Sequence, residues 1–228
     1  MVKRHLKRHA APNTWPITRK EHKFVVKPRS GAHSLRMGMA IATVLKQLGY
    51  CETTKEVKTA LNSTEMLVNN KRVKDHKHII GLMDVLAVPS KGLYFRMIID
   101  NKGKLFMIAI PKKEAALLPC RVNSITMVKG AKLQLNCHNG YNILIEKKTI
   151  AVNDTVVLNL ENKKIEQHLP LKEGATVLVT GGKLAGTIAK LVKREGRVCT
   201  LKLDDATHTT LLKYVFVVGD TTPVVKLR

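Results

Sequence analysis

The side chains in this sequence most able to do chemistry are cations. Forty Lys and Arg stand against 17 Asp and Glu, giving a formal charge of +23 at neutral pH and a sequence pI near 10.1. A compact chain with that imbalance repels itself, so a polyanion is its natural physical partner. The first segment is the most basic: residues 1–36 hold Lys3, Arg4, Lys7, Arg8, Arg19, Lys20, Lys23, Lys27, Arg29 and Arg36 against Glu21 alone, a balance of +9. Residues 37–100, 101–170 and 171–228 carry +3, +6 and +5. Trp15 and Phe24 lie among the first cations, where an aromatic face can stack on a base or pack on a folded neighbour. A tail that only solvates has no use for either ring.

Other chemistries lack their residues. No Gly-rich phosphate loop ending in Lys-Ser/Thr is present, and no Ser-centred nucleophile elbow. The nearest approach to a dinucleotide fingerprint, Gly181-Gly182-Lys183-Leu184-Ala185-Gly186, has the wrong glycine spacing and leads into a strand-like run rather than a helix N-terminus. The 17 carboxylates are scattered singly, with no paired acid and base. His76 and His78, or His5 and His9, could be read as metal ligands, but each pair sits beside Lys and Arg and no Cys or carboxylate cluster completes a site. Cys51, Cys120, Cys137 and Cys199 are spread singly, which suits a reduced intracellular compartment. Nowhere are there 18 consecutive apolar residues. The reading therefore has no catalytic residue, cofactor, metal, membrane or small-molecule substrate.

The elements that must position the cations follow from pattern. Residues 1–33 contain Pro12, Pro16, Pro28 and Gly31 without a sustained hydrophobic period, and read as an extended basic arm, disordered when alone. Over 34–48, Met37, Ile41, Val44, Leu45 and Leu48 recur at helical spacing, with Gly49 placed for a left-handed terminus. A second helix begins at Thr53, with Glu56 in the capping-box position and Val57, Ala60 and Leu61 facing its partner. Short strands follow around a turn at Asn69-Asn70 and over 85–88, making a compact α+β unit. Beyond Pro89 the chain reads as β, with apolar runs at 93–99, 105–110, 120–128, 131–137, 141–146 and 155–160, suited to a small barrel. One helical turn is expected after Pro111. A last β module runs through 176–180, 186–191, 198–203 and 211–218.

Two segments carry resemblances. Glu65-Met66-Leu67-Val68-Asn69-Asn70-Lys71-Arg72-Val73-Lys74-Asp75, with Gly81-Leu82-Met83-Asp84-Val85, resembles the S-four-type RNA-binding fold, with Asn70 where that family usually has Gly. Asn tolerates the left-handed turn conformation nearly as well. Residues 174–188, through Gly181, Gly182 and Lys183, resemble a KOW strand-loop-strand element, with Ala189 where a further Gly is common. Each segment also has a plainer reading, a solvated basic face for the first and a simple tight hairpin for the second. The order of pieces is more specific. His5-Leu6-Lys7-Arg8, Ala10-Ala11-Pro12, Trp15-Pro16, Pro28, Gly31-Ala32-His33, the S-four-type unit, a β region, the KOW element and Tyr214-Val215-Phe216-Val217-Val218-Gly219 together resemble the archaeal/eukaryotic-type family of small-subunit ribosomal protein four, nearer its archaeal form.

That resemblance implies a multi-domain α+β chain: an arm over 1–33, an S-four-type domain over 34–90, a central all-β barrel-like domain over 91–170, and an SH3-like KOW module with a tail over 171–228. It implies a structural, cytoplasmic ribosomal constituent that binds the 5′ region of small-subunit rRNA and neighbouring small-subunit proteins. RNA contacts are expected from Lys3, Arg4, His5, Lys7, Arg8, Trp15, Arg19, Lys20, Lys23, Lys27, Arg29, His33 and Arg36 in the arm. Lys46, Asn70, Lys71, Arg72, Lys74 and Lys77 are expected to contribute from the α+β unit, and Gly181, Gly182 and Lys183 from the KOW loop. The rival classes are an RNA-modifying enzyme and a polymerase-binding transcription factor. The first would need a large catalytic domain, for which residues 90–170, with Asp100 and Asp154 as their only aspartates, are too short. The second does not require a uniformly basic chain.

Overall fold

The computed structural model describes residues 5–128, 130, 132–146, 149–203 and 206–227. Lys3 and Arg4 of the expected contact set lie outside them. The chain divides into two compact units, one of residues 1–98 and 104–115, the other of 99–103 and 116–228.

In the first unit the described elements are β1 (Leu6–Lys7), β2 (Phe24–Val25), β3 (Gly38–Ala40), α1 (Ile41–Gln47), α2 (Thr54–Ser63), β4 (Leu67–Val68), β5 (Lys71–Arg72), β6 (Ile79–Gly81), β7 (Val85–Val88), β8 (Leu93–Ile99), β9 (Leu105–Ala109) and the turn α3 (Lys112–Ala115). Strands form a sheet in the order β5-β4-β7-β8-β9, and two smaller pairs, β1 with β2 and β3 with β6. The two runs expected in a separate central barrel, 93–99 and 105–110, thus form β8 and β9 and extend the sheet of the α+β unit: Val85 pairs with Arg96 and Val88 with Leu93. Val85, Ile110 and Ala115 pack together beneath Tyr94 and Ile108. Local apolar runs identify strands but not their partners, and here the tight connection at Pro89–Lys91 returns the chain onto its own sheet.

The first helix is shorter than its apolar spacing predicts. It starts at Ile41, because Gly38–Ala40 pair as a strand with Ile79–Gly81. A Cβ at Gly38 would sit 2.9 Å from the Ile80 carbonyl oxygen and 2.8 Å from Ile79 Cγ1, so this residue type lets the two backbones close up. The C-terminus forms as expected: Gly49 takes φ +74°, its N–H donates to Lys46 O, and Tyr50 N–H donates to Leu45 O. α2 begins with the anticipated capping box. Glu56 N–H donates to Thr53 Oγ1 at 3.2 Å while the Glu56 carboxylate accepts from the backbone of Thr53 and Glu52. Val57 and Leu61 are buried on its inner face.

The N-terminal segment is not an extended arm. Trp15 is 1% exposed, and its indole N–H donates to the carbonyls of Leu35 and Gly38, both at 3.0 Å. Leu105 N–H donates to Thr14 O, and the Thr14 hydroxyl to Arg36 O. An indole offers a large apolar surface to bury, and its N–H takes a hydrogen-bond partner when it does so. Leu6 and Ala11 of the same segment are buried as well, residues too sparse to show as a period.

In the second unit, β10 (Leu117–Val128), β11 (Lys132–Cys137), β12 (Asn142–Ile145), β13 (Thr155–Asn159) and β14 (Ile165–Leu169) form a sheet in the order β12-β11-β10-β13-β14. β15 (Thr176–Val179), β16 (Ile188–Glu195), β17 (Val198–Leu203), β18 (Ala206–Leu211) and β19 (Val215–Gly219) form another in the order β18-β17-β16-β15-β19. Val157 and Leu169 of the first sheet share one buried cluster with Val177, Val179, Leu191, Leu201 and Val217 of the second. The protein is therefore mostly β, built of several sheets with few helices.

Candidate nucleic-acid interface

The nominated residues of the N-terminal segment separate by what their side chains already do. The Arg8 guanidinium donates to the Thr18 carbonyl and hydroxyl and sits 3.2 Å from Glu21 Oε2, closing the loop between β1 and β2. Arg19 donates to His9 O at 3.0 Å, Ala11 O at 3.1 Å and Asn13 Oδ1 at 2.7 Å. Both cations hold their own chain. Trp15 and His33 are buried. His33 Nε2 lies 2.8 Å from Asp84 Oδ2, and Asp84 also accepts from Gly81 N–H and Asn69 Nδ2. This polar node ties the N-terminal segment to the β4–β5 turn and the approach to β7, and the Asn69 side-chain carbonyl accepts from Val85 N–H.

What remains on the surface is a set of lysines and arginines at the margins. Lys7, Lys20, Lys23, Arg29 and Arg36 are exposed, as is His5, which meets Phe24 edge-on; Lys27 is half-buried. Arg29 is brought beside the Lys74–Lys77 stretch, since its N–H donates to Lys77 O and its Nε lies 3.0 Å from Asp75 Oδ2. Lys71 and Arg72 lie on β5, the edge strand, where the two alternating side chains are both exposed; Lys74 is exposed and Lys77 half-buried. Asn69 and Asn70 adopt φ of 49° and 61° between Val68 and Lys71, the two-residue left-handed turn that Asn70 was expected to allow. Lys46 is exposed on the last turn of α1. The pKa of His76 and that of His78 are lowered from the ordinary histidine value, chiefly by desolvation.

The glycine loop between β15 and β16 serves the fold first. A Cβ on Gly181 would lie 2.7 Å from the Tyr214 ring, and one on Gly186 would lie 2.1 Å from the Asp100 carbonyl oxygen. Gly186 also has φ +82° and donates its N–H to Val179 O. Thr180 donates both N–H and hydroxyl to Tyr214 O. Lys183 is exposed in the loop, and Lys213 Nζ lies 4.8 Å from the centre of the Tyr214 ring.

Sequence reasoning missed the outer face of the C-terminal sheet. Lys190 on β16 pairs directly with Lys202 on β17, and Thr207 on β18 lies beyond Lys202 in the same row. Like charges set opposite each other in a ladder destabilise it. An anion placed between them reverses that term. Lys193, Arg194 and Arg197 add exposed cations along the same hairpin, with Lys193 3.0 Å from Glu195. The signal was cross-strand register, which no one-dimensional count contains. Arg96, fully buried, was also missed: it donates to Glu114 O at 2.8 Å, and burial, partly offset by Glu114, lowers its pKa to about 10, still charged at neutral pH.

Among the described residues no three or more His, Cys, Asp or Glu gather as a metal site, and no described helix is long and apolar enough to cross a membrane.

Comparison with known proteins places this architecture. Residues 91–165 match the model of Ribosomal family S4e, and residues 2–36 that of the RS4NT (NUC023) domain. Small ribosomal subunit protein eS4 of Methanocaldococcus jannaschii is 34% identical over 240 residues, covering 99% of this chain and 98% of that protein. The eS4 of Methanocella arvoryzae is 36% identical over 233 residues, with 99% and 98% covered, and that of Pyrobaculum calidifontis 36% over 234 residues, with 98% and 99% covered. The crystal structure of 30S ribosomal protein S4e from Thermoplasma acidophilum shares the fold with a TM-score of 0.71 at 20% identity, covering 81% of this chain and 96% of that one.

Proposed function

Because the chain belongs to the small ribosomal subunit protein eS4 family, in its archaeal form, and is thus a structural constituent of the ribosome and not an enzyme, we propose that it works by distributed neutralisation of small-subunit rRNA. Exposed lysines and arginines release counterions from phosphates, and the rigid sheets behind them decide where those charges sit. The Lys190–Lys202 pair carries this reading, since two cations face to face in a ladder oppose its pairing until an anion lies against them. The β4–β5 hairpin with α1 and α2 acts as the S-four-type RNA-binding module, and the β15–β16 hairpin as the KOW element of an SH3-like module. The RNA contacted is the 5′ region that forms the body of the subunit, and neighbouring small-subunit proteins complete the setting in the cytoplasm.

The test is occupancy and its salt dependence. In a sucrose gradient of cell lysate at raised salt, the protein should travel with the small subunit. Purified protein should bind small-subunit rRNA with an affinity that falls linearly in log–log against salt. A protein found only at the top of the gradient, and indifferent to structured rRNA at low salt, overturns the proposal.

A further inference from the structure

We infer that the cleft between the N-terminal segment and α1 binds one unstacked nucleotide of single-stranded RNA, a reading that rests on the rRNA binding proposed above and adds a base-holding site to it. The cleft measures about 440 Å³, within the span of ~300–1,000 Å³ usual for clefts that hold small ligands. Ile17, Thr18 and Phe24 line one side, and Thr43, Lys46 and Gln47 the other.

Phe24 gives the cleft its aromatic wall. Nearly half of this large aromatic side chain, 49%, is exposed, although the strand it occupies belongs to a folded unit. The ring is nonetheless held in place: His5 meets it edge-on at 5.4 Å with an interplanar angle of 77°, and Lys23 Nζ lies 5.6 Å from its centre. A fixed aromatic face beside an open cleft is what a base needs for stacking, and its burial there recovers the surface the fold leaves wet. The charge at the mouth suits the attached phosphate. Arg8 also lines the cleft, but its charge is offset by Glu21 at 3.2 Å, which leaves Lys46 as the lining cation available to a ligand, with Lys23 outside the lining beside the Phe24 ring. Gln47, exposed at the end of α1, adds an amide that can donate to or accept from a base edge. Aromatic face, cations and amide together fit a splayed nucleotide better than duplex RNA, whose bases are already stacked. They also fit it better than a basic protein tail, which the two lysines would repel.

The experiment uses the full chain, titrated by fluorescence anisotropy with labelled oligouridylate and oligoadenylate and with an abasic ribose-phosphate oligomer of equal length. Phe24→Leu keeps apolar bulk at the position and removes the stacking face. It should weaken binding of both base-bearing oligomers about tenfold, of the order of one lost base–aromatic stack, and leave the abasic oligomer unchanged. Phe24→Trp should keep or raise affinity. Lys46→Gln should weaken all three probes alike and make the salt slope shallower by about 0.7. Equal affinity of wild type and Phe24→Leu for the base-bearing oligomers, or the same loss on the abasic one, overturns the site; a peptide occupant predicts the first of these. Wild-type protein that binds small-subunit rRNA while Phe24→Leu has no effect overturns this site alone. Failure of wild type to bind rRNA removes the function on which it rests.

Discussion

At the scale of single residues, the side chains with the most distinctive chemistry are spent inside the protein. Trp15 is the only tryptophan in the chain, so its fluorescence reports on one environment. The free protein should emit at the blue-shifted wavelength of a buried indole, with weak quenching by acrylamide, and rRNA should change neither. Trp15→Ala should cost about 3–5 kcal/mol in chemical denaturation of the first unit, from the apolar burial removed and the cavity left behind. Asp84 is the acceptor at the centre of the His33 node. Asp84→Ala strands Gly81 N–H and the Asn69 amide in the interior, and at ~1–3 kcal/mol for each unsatisfied group the loss should reach about 3 kcal/mol by the same measurement. From the sequence, Trp15 and His33 were expected to contact RNA because both sit in a cationic, Pro-rich stretch, with packing on a folded neighbour the other reading of the Trp15 ring. Burial is set by what packs on a residue, and for both the partners come from later in the chain.

At the scale of elements, local signals held where the physics is local. Capping boxes, left-handed helix ends and two-residue turns are decided within a few residues, and Thr53 with Glu56, Gly49, and Asn69 with Asn70 all take the conformations their types predict. Thr53→Ala should therefore lower stability by about 1 kcal/mol. Asn70→Gly should be neutral or mildly stabilising in the same assay, whereas Asn70→Val should cost ~1–2 kcal/mol, because a branched side chain at φ 61° meets its own backbone. Elements whose signal is not local were missed or misjudged. β14 and β18 carry Ile165-Glu166-Gln167-His168-Leu169 and Ala206-Thr207-His208-Thr209-Thr210-Leu211, edge strands with too few buried positions to show an apolar run. The first turns of the expected helix before Ile41 became a strand because β6 offers its backbone there, and only the folded chain brings β6 alongside.

At the scale of the whole molecule, the charge of +23 is the property that function draws on, and it acts as a sum. Reversing Lys71, Arg72 and Lys74 together to Glu should weaken rRNA binding and make the log–log salt slope shallower by about 2 to 3, at ~0.7–0.9 for each phosphate no longer neutralised. Measurement of affinity across a salt series decides it: an unchanged slope means those three side chains face away from the RNA. Single substitutions among the exposed lysines should each move affinity little, since no one of them holds more than a share of the total.

Legible without coordinates were a chain able to fold, an excess of positive charge over what it can neutralise, β structure beyond Pro89, and the ribosomal family that its order of motifs resembles. These properties are additive or short-ranged: charge is a sum, strand propensity a matter of neighbours, and motif order survives any arrangement in space. Packing in three dimensions selects which cations remain on the surface and which, like Arg8 and Arg19, bind the chain's own carbonyls. It likewise placed Lys190 against Lys202 and opened a cleft beside Phe24. Those outcomes depend on strand register and on packing between residues far apart in the chain, and the free energy of such packing exists only once the backbone has closed around it.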